Sequence, residues 1–203
     1  NIKVNGEIDK RDFDELASHK FKSIDLSGAK IVAYNYFDAD MVPKYAFDSN
    51  TSLESFKMPA GVKELGFNAF RLTKLKEIDL PETIEEFGRN TFWGCSSLAN
   101  VYIRHKEAPY WISWCVFANK GDVTRTLHLY PGSKAKYDAH QYTKNWIKYF
   151  DNVVEDLEPT GIHSVTLDKK PGNAAIYDLN GRRITEAMKK GVYIKNGKKI
   201  SAK

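Results

Sequence analysis

Cysteine is nearly missing from this sequence, with two residues in 203, Cys95 and Cys115. Two cysteines build no disulfide framework, and there is no Cys-x-x-Cys pair for zinc or redox chemistry. Both stand among apolar neighbours, in Trp93-Gly94-Cys95 and Trp114-Cys115-Val116-Phe117, and read as small buried hydrophobes. A bond between them is the alternative in an oxidising compartment. Also missing is any apolar run approaching the roughly 18–20 residues that a membrane-spanning helix needs. The chain starts Asn1-Ile2-Lys3-Val4, without initiator methionine or apolar leader, and reads as a processed or truncated form.

Catalytic signatures are absent too. There is no Gly-x-Ser-x-Gly elbow, phosphate loop, His-Glu-x-x-His or dinucleotide fingerprint. The histidines His19, His105, His128, His140 and His163 are scattered without metal-ligand spacing. The acidic group Asp9, Asp12, Asp14 and Glu15 lacks the alternating ligands and glycine of a calcium loop. Glu82, Glu85 and Glu86 flank apolar Ile84 and Phe87 and read as one solvated face. Neither enzyme activity, metal nor cofactor is expected.

Excess charge is missing from most of the chain. The formal net charge is +5, but residues 156–203 hold ten basic and five acidic residues, which leaves 21 of each in residues 1–155. The basic tail reads as a solubilising face rather than a phosphate-binding surface, so no nucleic-acid partner is expected.

What is present is repetition. One copy runs Phe47, Leu53, Phe56, Met58, Pro59, Val62, Leu65, Gly66, Phe70, and the next Phe70, Leu75, Ile78, Leu80, Pro81, Ile84, Phe87, Gly88, Phe92. A third starts Phe92, Leu98, Val101, Ile103 and turns irregular. Leu53 and Leu75, Pro59 and Pro81, and Gly66 and Gly88 all stand 22 apart, inside the ~20–29 residue period of leucine-rich repeats. Leu-x-x-apolar-x-apolar is a short strand with its apolar residues turned inward. Prolines 59 and 81 end the strands, the glycines turn the coil, and Phe47, Phe70 and Phe92 stack in a column. Ser23–Ser27 and Thr126–Tyr130 supply degenerate outer copies. The expected architecture is a leucine-rich-repeat solenoid, mostly β with short helices or turns, with a parallel ladder of about five rungs.

The ends read as caps. Asp9 is a helix N-cap with Asp12 at N3 and an Ile8/Phe13 staple. Tyr137 to Trp146 reads as a closing amphipathic helix before a strand near Asn152-Val153-Val154. The array is placed at 1–155 and a small basic β module at 156–203. Asn180-Gly181 and Asn196-Gly197 separate its β-rich runs, as in two hairpins.

Phe92-Trp93-Gly94-Cys95-Ser96-Ser97-Leu98 closely resembles the signature of BspA-like leucine-rich repeats. Leu129-Tyr130-Pro131-Gly132-Ser133-Lys134-Ala135-Lys136-Tyr137, followed by Trp146, Phe150 and Asn152 to Glu155, looks like the terminal cap of such arrays in Bacteroidetes. Ile176–Ile184 with Lys190–Ile194 is similar to C-terminal modules of exported proteins, type IX sorting domains included. The resemblance implies a secreted or cell-surface protein, with adhesion proposed for some members. The short array and the irregular stretch Arg104–Arg125 depart from it.

Outward residues at the strand centres should form one column, Asp25, Lys57, Asp79, Tyr102 and His128, whose first three members alternate in sign and pair. Near its end gather Tyr102, Arg104, His105, Tyr110, Trp111, His128 and Tyr130, with Trp114 read as covering the core. Aromatic faces beside cationic donors suit a sugar ring or a protein hot spot. The expected function is non-catalytic binding of a protein or glycan by a monomer at the cell exterior. The alternatives are a spacer without a ligand and, last, a carbohydrate-active enzyme.

Overall fold

The alternating copies become short parallel strands in this computed structural model, which describes residues 1–59, 61–109, 111–112, 115–158, 176–177, 183–184, 191–195 and 198–202. The first of two units, Asn1–Leu157, opens with β1 (Ile2–Ile8), helix α1 (Lys10–Ser18), β2 (Ser23–Ile31), β3 (Met41–Val42), β4 (Ser55–Lys57) and β5 (Glu64–Leu65). Next come β6 (Glu77–Leu80), β7 (Glu86–Phe87), β8 (Asn100–Ile103), β9 (Trp111–Ile112) and β10 (Thr126–His128). Helices α2 (Lys134–Ala139) and α3 (Thr143–Trp146) and the strand β11 (Asn152–Val154) close it.

The main ladder is parallel throughout and runs β1-β2-β4, then β6-β8-β10-β11. β4 and β6 lie side by side but belong to different sheets. They are joined just upstream by Lys74 N–H to Leu53 O (3.0 Å) and Lys76 N–H to Glu54 O (3.1 Å). β2, β4, β6, β8 and β10 lie at the repeat copies, divided between these two sheets, with β1 and β11 at their outer edges. A second parallel sheet, β3-β5-β7-β9, is formed by two-residue strands.

The inward residues Ile24, Leu26, Leu53, Ile78, Leu80, Val101, Ile103 and Leu127 are buried between coils, each burial contributing roughly 1.5–3 kcal/mol. No coil can cover its own apolar face, so stability arises from stacking neighbours. The phenylalanine column holds that stack together. Phe47 on Phe70 and Phe70 on Phe92 have centroids 5.5 and 5.4 Å apart. The column continues to Phe117 at 5.4 Å, where the offset lengthens to 25 because Arg104–Arg125 carries an insert.

Gly66 and Gly88 play a different part from the one expected. Neither has a positive φ, so the turn does not require them. What does is the backbone of the previous coil: a Cβ on Gly66 would lie 2.5 Å from Lys44 N and 2.8 Å from Pro43 C. These glycines let coils approach closely enough for Gly66 N–H to reach Val42 O at 2.9 Å. Gly66→Ala is expected to cost about 2 kcal/mol, since backbone on the receiving side cannot step aside. A thermal melt checks this, and an unchanged midpoint would refute the close-approach role. Left-handed residues serve the turns instead. Tyr45, Asn68 and Asn90 (φ 62, 56 and 60°) fill one repeated position, and Ser49, Leu72, Gly94 and Asn119 another.

The caps follow local rules. Asp9 Oδ1 accepts from Arg11 N–H at 2.8 Å while Asp9 N–H donates to Asp12 Oδ2 at 2.8 Å, a capping box for α1. Ile8 and Phe13 are both buried beneath it. The expected single closing helix is broken into α2 and α3, followed by a 3₁₀ turn at Ile147–Tyr149. The Thr143 hydroxyl donates to Tyr137 O between them, and a hydroxyl bonded to the backbone competes with helix continuation. Cys95 and Cys115 are buried thiols, not a disulfide. Cys95 Sγ meets Phe70 O at 3.1 Å and Thr73 Oγ1 at 3.3 Å, and burial pushes its thiol up from its ordinary pKa.

The second unit is Glu158–Lys203. Its strands β12 (Ile176–Tyr177), β13 (Arg183–Ile184), β14 (Gly191–Lys195) and β15 (Lys198–Ala202) pair antiparallel in the order β13-β12-β14-β15. The turns expected at Asn180-Gly181 and Asn196-Gly197 lie outside the described residues.

Candidate functional site

Strand register places the expected column. Asp25 is opposite Lys57, Asp79 opposite Tyr102, and Tyr102 opposite His128. The ladder's added ends extend it to Lys3, opposite Asp25, and Val154, opposite His128. Over the interruption between β4 and β6 lies a groove of about 560 Å³, with Lys57, Asp79, Tyr102 and Arg104 among its walls and Pro59 and Pro81 at its rim.

The charges here are mostly used up internally. Asp25 receives the Ser27 hydroxyl at 2.6 Å and the Ser27 N–H at 3.0 Å, with Lys57 3.5 Å away. The Ser27 bonds and Lys57 lower its carboxyl pKa to about 2. Asp79 departs from the expected pairing with Lys57. It takes a two-pronged bond from Arg104, Nε to Oδ1 at 2.7 Å and Nη2 to Oδ2 at 2.8 Å, because a planar guanidinium matches a carboxylate better than an ammonium does. The pair raises the Arg104 pKa, and the guanidinium also meets the Tyr130 hydroxyl.

Tyr102 and His128 form the aromatic part of the face. Their rings stack at 4.3 Å with an interplanar angle of 20°. His128 Nδ1 lies 2.9 Å from both Asp156 carboxylate oxygens, and Nε2 lies 3.2 Å from Asn100 Oδ1. Burial, then the carboxylates of Glu77, Asp156 and Asp79, push the Tyr102 phenol above its ordinary pKa. A histidine oriented by an aspartate is half of a nucleophile-activating arrangement. Its far nitrogen here faces an amide oxygen, not a hydroxyl or thiol. The arrangement can hold a flat, partly apolar ligand surface.

The remaining expected residues divide. Tyr130 is buried, not displayed, with Lys106 Nζ 5.6 Å above its ring. His105 closes a local turn, its Nδ1 2.6 Å from Glu107 O, while its own carbonyl accepts from the Tyr137 hydroxyl at 2.9 Å. Trp111 lies on β9 of the second sheet, paired to Glu86 of β7 and so not on the strand face of Tyr102. Tyr110, Trp114 and the Trp111 side chain lie outside the described residues. Among the described side chains of the expected cluster, Tyr102, Arg104 and His128 are the ones that share the strand face.

Two features are not marked by the repeat pattern. Arg125 is fully buried, and its guanidinium donates to three backbone carbonyls. The segment between β2 and β3 carries Tyr34, Tyr36 and Phe37, with Tyr36 fully exposed. Its signal was available: Ile24 and Phe56 stand 32 apart, not 22, which marks an aromatic-rich insert.

Among the described residues no group of three or more His, Cys, Asp or Glu side chains is placed to hold a metal ion. No described helix is long and apolar enough to cross a membrane. A family profile described as BspA type leucine rich repeat region matches residues 12–127 in six copies. No curated protein matches the chain.

Proposed function

Because the chain belongs to the BspA-type leucine-rich-repeat family, we propose that it is a non-catalytic binding protein of the cell exterior whose strand face takes up a partner protein. The observation that carries this reading is the groove of about 560 Å³ walled by the Arg104–Asp79 fork and continued by the Tyr102–His128 stack. Asp79 and Arg104 are fixed by their two-pronged bond and Tyr102 by its stack on His128, so these walls lose little side-chain freedom on binding. Stacked rings beside fixed polar groups are the composition of an interface centre. The likeness of residues 176–194 to modules of exported proteins supports the exterior location, and protease shaving of intact cells checks it.

The test is a binding screen of the purified chain against extracellular-matrix proteins and glycans, with Tyr102→Ala/His128→Ala alongside. The expected result is a protein ligand whose affinity falls about thirtyfold in the double variant. A ligand bound equally by both proteins would remove the strand face from the function. A glycan as the sole ligand would correct the partner class, and no ligand at all would leave a spacer.

A further inference from the structure

The insert between β2 and β3 is built to display one aromatic ring. Tyr34 and Phe37 exchange both backbone bonds at 3.0 Å, closing a two-residue turn with Asn35 at φ 53°. The turn is pinned from below. The Arg11 guanidinium sits 4.3 Å over the Tyr34 ring and Lys10 Nζ 5.4 Å from the centre of the Phe37 ring. Tyr36, between them, is 100% exposed. A large aromatic held out by an anchored turn loses solvent contact and little entropy when a partner covers it.

A second exposed aromatic, Tyr45, is held at a conformational cost. Tyr45 is 52% exposed and meets Phe67 edge-on at 5.2 Å. Its φ of 62° places it at the left-handed position that Asn68 and Asn90 occupy in the next two coils. Asparagine adopts that region at lower cost than tyrosine, so replacing Tyr45 with asparagine should relieve strain. Strain retained at an exposed aromatic points to use.

A groove of about 450 Å³ is lined by Tyr36, Phe37, Met41 and Phe67, and Tyr45 packs on its Phe67 wall. Asp38 and Glu64 line the same groove. Among the described residues neither they nor Glu86 on the neighbouring rung has a cation within ion-pair distance. Lys44 lines the groove without pairing to any of them. The Glu64 carboxyl is pushed above its usual range by burial, then by Glu86 and Asp38, as expected of negative charge left uncompensated.

We propose that this face, centred on Tyr36 and Tyr45 and separate from the strand-face groove, docks a lysine- or arginine-bearing segment of a partner protein. Aromatic faces attract cations through their quadrupole, and the unpaired carboxylates supply the complementary charge. A neutral sugar would use the rings and leave the acids without purpose.

The full chain is titrated with a fluorescent lysine–glycine peptide, a glutamate–glycine peptide of equal length and a neutral maltooligosaccharide. The chain's own net charge of +5 opposes the cationic probe, so binding reports the local site. The lysine peptide alone should bind, more weakly as salt rises, and Tyr36→Ala and Glu64→Gln should each weaken it about tenfold. Tyr45→Asn should weaken it while raising the melting temperature, a combination that a merely structural tyrosine would not give. Tyr102→Ala/His128→Ala should leave it unchanged, which keeps this site distinguishable from the strand face. No binding of the lysine peptide, equal binding of the glutamate peptide, or sugar binding alone that Tyr36→Ala abolishes would each overturn the proposal. So would a Tyr45→Asn variant that melts lower or binds as before.

Discussion

Arg125→Ala is expected to destabilise the repeat unit by about 4 kcal/mol, lowering its melting temperature by roughly 10 °C. The Arg125 guanidinium donates Nε to Leu98 O at 2.9 Å, Nη1 to Phe117 O at 2.8 Å and Nη2 to Cys95 O at 2.9 Å. Its own N–H donates to Asp151 Oδ2 at 2.8 Å, and Asp151 is also paired with Lys120. In the central coils the next backbone does this work, as when Lys74 N–H reaches Leu53 O. Leu98 is the repeat equivalent of Leu53, but the insert after Ile103 displaces the backbone that would follow it. Arg125 replaces the missing donors with a single fork. Burial lowers its pKa, yet a guanidinium stays charged at any ordinary pH.

Truncation leaves three carbonyls buried without donors and opens a cavity beside Phe117. Arg125→Met fills the space but not the bonds, so it should recover only the cavity part. Arg125→Lys should fall between wild type and alanine, because one ammonium cannot meet three carbonyls in a planar fork. Melting curves of the three variants decide this. An alanine variant that melts within about two degrees of wild type would show that water or relaxed backbone satisfies those carbonyls.

The elements legible in the sequence were those written at a constant offset. A 22- to 23-residue spacing identifies β4, β6 and the column of Phe47, Phe70 and Phe92, and the Asp9/Asp12 box identifies the start of α1. Period-2 alternation then places Asp25, Tyr102 and His128 on one face. β1 was missed because Asn5-Gly6 breaks its alternation and its register to β2 slips between Lys3 and Asn5. The second sheet was missed because strands such as Glu64–Leu65 are too short to carry a period. Arg125 contradicts the rule that charged residues stay outside, and such exceptions are set by partners distant in sequence. Partners distant in sequence also divide the candidate cluster. Tyr130 and His105 lie close to the strand face in sequence, but one is taken into the core and the other into a turn. Arg104 meets Asp79 diagonally across two rungs, a contact that a column drawn straight down the strands does not contain.

Phe70→Ala is the second change with a large expected effect, about 4 kcal/mol, and its consequence depends on position in the stack. Phe70 is fully buried, parallel to Phe47 and Phe92, and edge-on to Phe56 at 4.9 Å. Phe13 is equally buried but sits at the N-terminal end, edge-on to Phe47 at 6.1 Å. Deleting either ring removes similar apolar area. In a stack whose coils touch only their neighbours, a central deletion weakens two interfaces and an end deletion weakens one. Phe70→Ala should therefore uncouple the two halves of the ladder at the point where β4 and β6 already lack a paired register. Amide hydrogen exchange should accelerate on both sides of it, through β4, β6 and β8. Phe13→Ala should accelerate exchange in β1, α1 and β2 and leave β8 and β10 protected. Equal exchange patterns in the two variants would mean that the repeat unit unfolds as one cooperative body. The interruption under the strand-face groove would then be no mechanical weak point.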